Sequence, residues 1–388
     1  MRVAKIHEVL EQVSPSLKSL AMFIGNHPEL NFNEFLAQAK LVSFLKQHHF
    51  KIQKGVGGLP TAFVGSFGRG RPHIGYLAEY DALPGIGHAC GHNLIGTASC
   101  GAAVALAKCL EGKSGTVFVM GCPAEEGGGG KVILSQKGLF KRLDCAMMAH
   151  PDSKTEVIKF MLALMEIDIE FFGKQAHAAA EPEKGINALD AAAATYVRIL
   201  KFRKTLKKDA RVHGVFAHAG VKPNIIPEYA SLKYYVRSLQ MADVKMIVDQ
   251  MTRIAKEEAQ KQKATIHITQ NPLPYEPFYP NRALGKIFEK QLTGLGVHHE
   301  QGDPKKRIGS SDIGNVSQVV PTLHPSIQIC DDFSCHTPQF AKAALTERAM
   351  KSMVLAAKAL ALTGLELISQ PAHLKKIHEE FKKTHAKN

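Results

Sequence analysis

The sequence has no tryptophan and few other aromatic residues: Phe, Tyr and Trp together make up 7% of its 388 residues. It also has no apolar stretch that approaches the roughly 20 residues needed by a membrane-spanning helix. The opening MRVAKIHEVLEQVSPSLKSL is a charged amphipathic pattern rather than a signal peptide. We therefore expect no membrane partner and a cytoplasmic location.

Cysteine is too sparse and too scattered for a disulfide framework. The seven cysteines are an odd number and lie between Cys90 and Cys335. In a chain of this length, that distribution is typical of a protein from a reducing compartment. Any functional cysteine is then a thiolate ligand or a nucleophile.

Acidic residues are outnumbered, with 35 Asp and Glu against 49 Lys and Arg and a formal net charge of +14. The basic runs at 201–208, 256–263 and 373–387 are dispersed and have the composition of solvated helix faces or a tail. No aromatic residues alternate with them to stack on bases, so we expect no nucleic-acid partner. The positive charge is better assigned to solubility or to attraction of anionic substrates.

The first part of the chain alternates between two apolar periods. Helical spacing occurs at 3–23, 32–49 and 94–110, and short apolar runs typical of buried strands occur at 61–66, 73–79, 116–121 and 144–149. This alternation predicts an α/β domain with a mixed or parallel sheet and helices on both faces.

From residue 163 the pattern changes. MEIDIEFFG alternates strictly between apolar and acidic residues, and the segments after it indicate a helix, strands near 211–218 and 229–238, a helix and a last strand. This β-α-β-β-α-β order predicts an inserted ferredoxin-like domain at 163–273. The first domain is then discontinuous, comprising 1–162 and 274–388, with a helix at 340–363 and an exposed basic helix or tail from 370.

Candidate ligands follow the strand-like runs of the first domain. Cys90 and His92 lie two residues apart in a glycine turn, where a thiolate and an imidazole can face one ion. Asn93 fits the N-cap of a helix beginning at Leu94. Open α/β sheets bind ligands at the carboxyl edge of their strands, so candidates from separate segments can meet there: Asp81, Cys90, His92, Glu125, Glu126, His150 and His336.

The acidic pair of CPAEEGGGG (122–130) suits metal-assisted hydrolysis. On extended backbone the carboxylates of Glu125 and Glu126 point to opposite sides, so one can hold a metal while the other faces the water. A solvated acidic turn is the alternative. The glycines do not form a P-loop, because Glu125 stands where that motif requires glycine and Val132 where it requires Ser or Thr.

Several segments, in order, resemble one known family over nearly the whole chain: HPELNFNE (27–34), EYDALPGIGHACGHNLIG (79–96), GCPAEEGGGGK (121–131), MMAHP (147–151), GKQAHAAAEPEKGINALDA (173–191), GVKPNIIPEYASLKYYVRS (220–238), GSSDIGNVS (309–317) and SCHTP (334–338). They are similar to the dinuclear-metal aminoacylase and carboxypeptidase G family. The match is closer to its amidohydrolase branch, which includes hippurate, indoleacetyl-amino-acid and aminobenzoyl-glutamate hydrolases and Xaa-Arg dipeptidases.

The resemblance implies a role for each candidate. Glu125 is implied as general base and proton shuttle, and Asp81 as the residue that orients a ligating histidine, with Glu79 at the place of its usual partner. Whether Glu79 or Asp81 has a direct role stays open. The ligands of two divalent ions, which can be zinc, manganese, cobalt or nickel, are implied to be Cys90, His92, Glu126, His150 and His336.

The inserted domain resembles the lid of this family, which also dimerises, so a homodimer is expected. His177 resembles the lid histidine that reaches a neighbouring active site and polarises the scissile carbonyl. Asn224 and Arg237 resemble lid residues that bind the substrate carbonyl or terminal carboxylate. By strand pattern alone Arg237 shares a face with Lys233 and Tyr235, where a surface ion pair is the alternative.

The expected function is hydrolysis of the amide bond of a dipeptide or an N-acyl amino acid by a metal-activated water. A different specificity, for aminobenzoyl-glutamate or another N-acyl amino acid, is the first alternative. A non-catalytic binding or scaffold protein that retains the fold is the second, since a fold does not guarantee an activity.

Overall fold

The computed structural model describes residues 2–110, 114–302 and 309–386. The chain forms two compact units. One, which we call the outer unit, comprises Met1–Phe160 and Phe278–Asn388, and the other, the inserted unit, comprises Met161–Pro277.

The described residues contain strands and helices throughout. The strands are β1 (Lys51–Lys54), β2 (Phe63–Arg69), β3 (His73–Ala78), β4 (Gly115–Gly121), β5 (Cys145–Met147), β6 (His150–Asp152), β7 (Ala163–Phe172), β8 (Arg211–His218), β9 (Tyr229–Ser238), β10 (Thr265–Gln270), β11 (Thr322–Leu323) and β12 (Ser326–Gln328). The helices are α1 (Arg2–Asn26), α2 (Phe35–Gln47), α3 (His92–Ala107), α4 (Gly130–Gln136), α5 (Ala188–Arg203), α6 (Met241–Lys261), α7 (Arg282–Gly294), α8 (Ile313–Ser317), α9 (Pro338–Ala343), α10 (Glu347–Ser369) and α11 (Pro371–His385).

The outer unit is built on a mixed six-stranded sheet with the order β1-β2-β4-β3-β5-β11. Strands β4, β3, β5 and β11 run parallel to one another, whereas β2 is antiparallel to β4 and β1 is antiparallel to β2. A short parallel pair, β6 with β12, lies next in the chain after β5 and β11. The α/β fold class predicted from the sequence is therefore confirmed.

Helix α3 occupies the middle of the outer unit. All of its 16 residues are buried, and it packs against α1, α10 and strands β3 and β4. Such close packing needs small residues, which the sequence HNLIGTASCGAAVALA supplies. At Gly96 a Cβ atom would lie 2.6 Å from the backbone oxygen of Glu79, so glycine lets the helix approach the end of β3.

Helix α10 corrects the sequence-based statement about apolar runs. By length and composition, Glu347–Ser369 is long and apolar enough to cross a membrane. In the structure 61% of its apolar window is buried, and it packs against α1, α3 and α7, as a core helix does. The predicted helix at 340–363 is divided in two, because the Thr346 side chain accepts a hydrogen bond from the Ala349 amide and starts a new helix there.

The basic C-terminal segment is a helix that docks on α7 rather than a free tail. Ile377 is fully buried, and its carbonyl accepts a hydrogen bond from Asn281 Nδ2 at 2.9 Å. The Glu380 carboxylate accepts the backbone amides of Arg282 and Ala283 at the start of α7. These contacts cap α7, so the helix contributes to the outer unit although its outer face is basic.

The inserted unit has the predicted β-α-β-β-α-β order. Its antiparallel sheet has the strand order β10-β7-β9-β8, with α5 and α6 packed on it. In β7 the residues Ile167, Ile169 and Phe171 are fully buried, as the alternating pattern predicted. Strand β8 lies at one edge of this sheet.

The packing of α3 against β3 generates a stability prediction. Gly96→Ala places a methyl group against the Glu79 backbone, and overpacking of this kind costs about 1–3 kcal/mol. We expect the thermal unfolding midpoint to fall by several degrees, measured by scanning calorimetry. Gly294→Ala is the control, because a Cβ there meets nothing within 4 Å. Equal midpoints for the Gly96 variant and the wild type would contradict this description of the core.

Candidate metal centre

The candidate residues lie where three neighbouring strands end. Asp81 follows β3, Glu125 and Glu126 follow β4, and His150 follows β5. Because β4, β3 and β5 are adjacent and parallel, these segments reach the same edge of the sheet.

A glycine turn brings Cys90 and His92 to this edge. Gly91 has φ 76°, and a Cβ atom there would lie 2.4 Å from Pro151. The turn therefore needs glycine for both its conformation and its contact with the segment that carries His150.

Asn93 does not have the capping role expected from the sequence. Helix α3 begins at His92, earlier than predicted, and its N-cap residue is Gly91. The Asn93 side chain is buried instead and donates hydrogen bonds from Nδ2 to the carbonyls of Ala21 (3.2 Å) and Ala344 (3.3 Å). The N-cap prediction was wrong because long-range partners compete for this amide.

Asp81 fixes the orientation of the His92 ring. Its Oδ1 is 2.9 Å from His92 Nδ1, and its Oδ2 accepts the backbone amide of Glu126 at 2.9 Å. With Nδ1 engaged, His92 Nε2 faces the acidic residues: Glu79 Oε2 at 3.5 Å, Glu126 Oε1 at 3.8 Å and Glu125 Oε2 at 3.9 Å. Asp81 thus contacts both a candidate ligand and the backbone of another.

His150 and His336 complete the set. Cys90 Sγ is 3.3 Å from His150 Nε2, and His336 Nε2 is 3.4 Å from Glu126 Oε2. His336 is held by its own backbone, whose amide donates to the Ala89 carbonyl at 2.9 Å.

Six of the seven candidates, all except Asp81, form three overlapping groups, and within each group the ligand atoms lie within 4.8 Å of one another. Cys90 belongs to two groups, one with His92 and His150 and the other with Glu126 and His336. The third group is His92 with Glu125 and Glu126. Residues from four separate segments therefore converge on one location.

The acidic pair lies in a turn and not on extended backbone. Ala124 has φ 57°, and both carboxylates lie within 4 Å of His92. The expectation that Glu125 and Glu126 point to opposite sides was wrong, because it rested on strand geometry.

Burial and like charges set the ionisation of the centre. Burial opposes a charge on His92, but the carboxylates of Asp81, Glu79 and Glu126 outweigh it and raise the pKa of the ring well above its ordinary value. Burial lowers the pKa of His150 to about 4, so this imidazole is neutral at pH 7. Burial, together with repulsion from Glu79 and Asp312, raises the pKa of Glu125 well above its ordinary value.

These residues fit a divalent metal. Two buried atoms that face the centre, His92 Nε2 and Glu126 Oε1, have no hydrogen-bond partner in the described part of the chain. Such atoms are costly unless a partner is supplied. Thiolate, imidazole and carboxylate donors suit zinc and its neighbours in the transition series.

Sequence reasoning missed a buried ion cluster beside the centre. Lys131 is fully buried, and its Nζ lies 2.6 Å from Glu79 Oε1 and 2.5 Å from Asp312 Oδ1. Lys131 and Asp312 lie in the segments 121–131 and 309–317 that carried the resemblance, so a signal was present. Nothing in the sequence indicated that these two segments meet.

Glu34 is a second missed residue. Its Oε1 accepts the backbone amides of Phe32 and Ala124, both at 2.9 Å, so it holds the turn before Glu125. Burial raises the pKa of Glu34 to about 7. The segment 27–34 carried part of the resemblance, but no role could be assigned to Glu34 from it.

His177 and Asn224 are neighbours in the inserted unit. The Asn224 carbonyl accepts the Ala178 amide at 3.1 Å. His177 Nδ1 accepts the amides of Ala179 (3.2 Å) and Ala180 (3.1 Å). A neutral imidazole held this way carries its proton on Nε2, which is then a hydrogen-bond donor.

Arg237 lies on the predicted face of β9. Its neighbours Tyr234 and Val236 are buried, whereas Tyr235 is 45% exposed. The Arg237 guanidinium lies 5.1 Å from the centre of the Tyr235 ring, a cation–π arrangement. Burial lowers the pKa of Arg237 from its ordinary value.

Comparison with known proteins agrees with this geometry. Residues 163–263 match the family model described as peptidase dimerisation domain. The chain is 36% identical to the Xaa-Arg dipeptidase of Homo sapiens, over 97% of this chain and 91% of that protein. It is 34% identical to one of the subunits of the p-aminobenzoyl-glutamate hydrolase of Escherichia coli, over 75% of this chain and 65% of that protein.

Solved structures share the fold. A Bacillus subtilis protein described as a dinuclear metal binding peptidase from the M20 family aligns with a TM-score of 0.68 at 20% identity, over 91% of this chain and 99% of that one. The human relative matches along nearly its whole length, and its similarity extends across both units. The chain therefore belongs to the M20 family of metallopeptidases, in the amidohydrolase branch that its motifs resemble.

Proposed function

We propose that this protein is a two-metal dipeptidase that hydrolyses the bond before a C-terminal basic amino acid. One observation carries the hydrolytic part: Cys90, His92, Glu125, Glu126, His150 and His336 converge in groups with ligand atoms within 4.8 Å. This donor set at the edge of an α/β sheet suits metal-assisted amide hydrolysis.

The proposed ligands of the two ions are Cys90, His92, Glu126, His150 and His336. Two divalent ions bound there would acidify a water molecule and polarise the scissile carbonyl. Asp81 holds His92 with Nε2 directed at the centre, which preserves the tautomer needed for ligation. Zinc suits the thiolate and imidazoles best, and manganese, cobalt and nickel are the alternatives.

Glu125 is the proposed general base. Its carboxylate takes a proton from the attacking water and delivers it to the nitrogen of the leaving amine. Burial raises its pKa above the ordinary value, so this carboxylate holds a proton more tightly than an exposed glutamate does, as a proton shuttle requires.

The inserted unit is proposed to supply substrate-binding residues, as the lid of this family does. His177 offers an Nε2–H donor for the oxygen of the scissile carbonyl. Asn224, beside it, is proposed to bind the same carbonyl, and Arg237 to bind the terminal carboxylate by paired hydrogen bonds. These roles follow the family pattern.

The substrate class is supported by the relatives. The human relative, 36% identical over almost the whole chain, is a Xaa-Arg dipeptidase. Hydrolysis of aminobenzoyl-glutamate or another N-acyl amino acid is the second candidate, favoured by the 34% identity to the Escherichia coli hydrolase. We also propose a cytoplasmic location, since all seven cysteines are free.

A homodimer through the inserted unit is proposed as the working form. Strand β8 lies at the edge of its sheet, and two of its apolar side chains, Val215 and Phe216, are 62% and 38% exposed. An exposed apolar edge strand is a template for pairing with another chain. The match of residues 163–263 to a peptidase dimerisation domain supports dimerisation through the inserted unit.

Removal of the proposed base is the first test. Glu125→Gln keeps the size of the side chain but cannot accept the proton, so turnover should fall by at least about 100-fold. Metal content, measured by plasma mass spectrometry, should stay at the wild-type level. Glu11→Gln, on the exposed face of α1, is the control and should retain full activity. Near wild-type hydrolysis by the Glu125 variant with metal bound would refute the assignment.

A substrate panel tests the specificity. Xaa-Arg and Xaa-Lys dipeptides, hippurate, N-acetyl amino acids and p-aminobenzoyl-glutamate are assayed with zinc, manganese, cobalt and nickel in turn. We expect the highest kcat/KM for dipeptides with a C-terminal basic residue. A preference for p-aminobenzoyl-glutamate would select the second candidate. A protein that hydrolyses none of these with any metal would point to a non-catalytic role.

A substitution on edge strand β8 tests the proposed dimer. Val215→Glu places a charge on β8 and should convert a dimer, seen by light scattering as twice the chain mass, into a monomer. Met246→Glu is the control, because Met246 is 56% exposed on α6 of the same unit. A wild-type protein that is monomeric and fully active would eliminate both the dimer and the role of His177 across subunits.

A further inference from the structure

The buried cluster of Lys131, Glu79 and Asp312 has no function in the catalytic scheme above. Glu79 is 1% exposed and the other two residues are fully buried. They come from distant parts of the chain: the end of β3, the first turn of α4 and the residue before α8. Burying three charged groups together is costly unless each is well paired.

The pairing within the cluster is uneven. Asp312 uses both oxygens on Lys131, with Oδ1 2.5 Å from Nζ and Oδ2 accepting the backbone amide at 2.8 Å. Glu79 uses only Oε1 on Lys131, at 2.6 Å. Asp312 therefore anchors the lysine, and the second oxygen of Glu79 is left to face another group.

That other group is His92. Glu79 Oε2 lies 3.5 Å from His92 Nε2, the nitrogen directed at the metal centre. His92 is fully buried, and its Nε2 has no hydrogen-bond partner in the described ranges. A carboxylate oxygen and an unpartnered imidazole nitrogen thus face the same buried space, an arrangement that a cation would satisfy.

We propose that Glu79 supplies a further carboxylate oxygen to the metal centre, and that Lys131 and Asp312 are positioning residues that hold it there. This inference rests on the proposed two-metal function. The ion pair of Lys131 with Oε1 opposes rotation of the carboxylate away from the centre, while the ion pair with Asp312 holds the lysine in place.

The charge of the cluster supports this assignment. Two carboxylates and one ammonium leave one net negative charge, and Glu79 is the member that presents it toward His92. That negative charge attracts a cation to the adjacent ligands.

Metal affinity of the chelator-stripped protein, measured by calorimetric titration with zinc, tests the inference. Glu79→Gln keeps the Lys131–Asp312 pair and should weaken zinc binding by about 10–100-fold, the usual effect of removing a supporting carboxylate. Lys131→Met/Asp312→Asn removes one charge of each sign and frees Glu79, so it should also weaken binding.

The matched control is Glu258→Gln in the inserted unit. Glu258 is 5% exposed and is paired with Arg198 at 2.5 Å and Lys261 at 2.7 Å, so it is another largely buried carboxylate that pairs with cations. Its substitution should leave zinc affinity unchanged. Thermal unfolding of each metal-free variant separates loss of folding from loss of binding.

Two outcomes would overturn the inference. One is a Glu79→Gln protein that binds zinc as tightly as the wild type, and the other is a lowered unfolding midpoint in both cluster variants with unchanged affinity. Either result leaves the proposed function intact if the wild type binds zinc and hydrolyses dipeptides. A wild type that binds no metal refutes the proposed function itself.

Discussion

The concentration of buried negative charge at one edge of the sheet is the constraint on which the rest of the outer unit depends. Four carboxylates are held close together and largely shielded from solvent: Glu79, Asp81, Glu126 and Asp312. Lys131 is the cation that pairs with Glu79 and Asp312. Like charges in a buried site repel one another strongly unless a cation compensates them. A divalent ion bound by the neighbouring thiol and imidazoles would provide that compensation, and metal binding would then be linked to folding of this edge.

The scaffold meets this constraint through close backbone approach. Parallel strands β3, β4 and β5 end together, and α3 starts beside them because Gly96 lets it lie against the Glu79 backbone. Gly91 then lets the Cys90–His92 turn contact the segment that carries His150. The positions of the donors are therefore set by main-chain packing, which is more rigid than a set of surface loops.

Much of this organisation could be predicted from the sequence. The strict alternation of β7 and the period of α5 and α6 are local signals, so the inserted fold followed from them, and strands β8 and β9 lie at the predicted residues. Five candidate ligands follow apolar runs in the sequence: Cys90, His92, Glu126, His150 and His336. Because parallel strands end at one edge of a sheet, the sequence predicted that these residues lie close together.

The remaining features depend on contacts between distant segments. The Asn93 side chain is held by carbonyls from α1 and from the residue after α9. The turn that carries Glu125 and Glu126 is held by Glu34. The surroundings of Glu79 are set by Lys131 and Asp312. Each of these partners lies far along the chain from the group that it controls, so the local pattern gives no signal.

The central claim is that two divalent ions bind among the ligands at this edge of the sheet. The most direct measurement is anomalous diffraction from crystals of the zinc-loaded protein, collected on both sides of the zinc absorption edge. The account predicts two anomalous peaks bounded by Cys90, His92, Glu126, His150 and His336, with Glu125 adjacent to them. Crystals soaked in excess zinc that show no anomalous peak among these residues would contradict the claim.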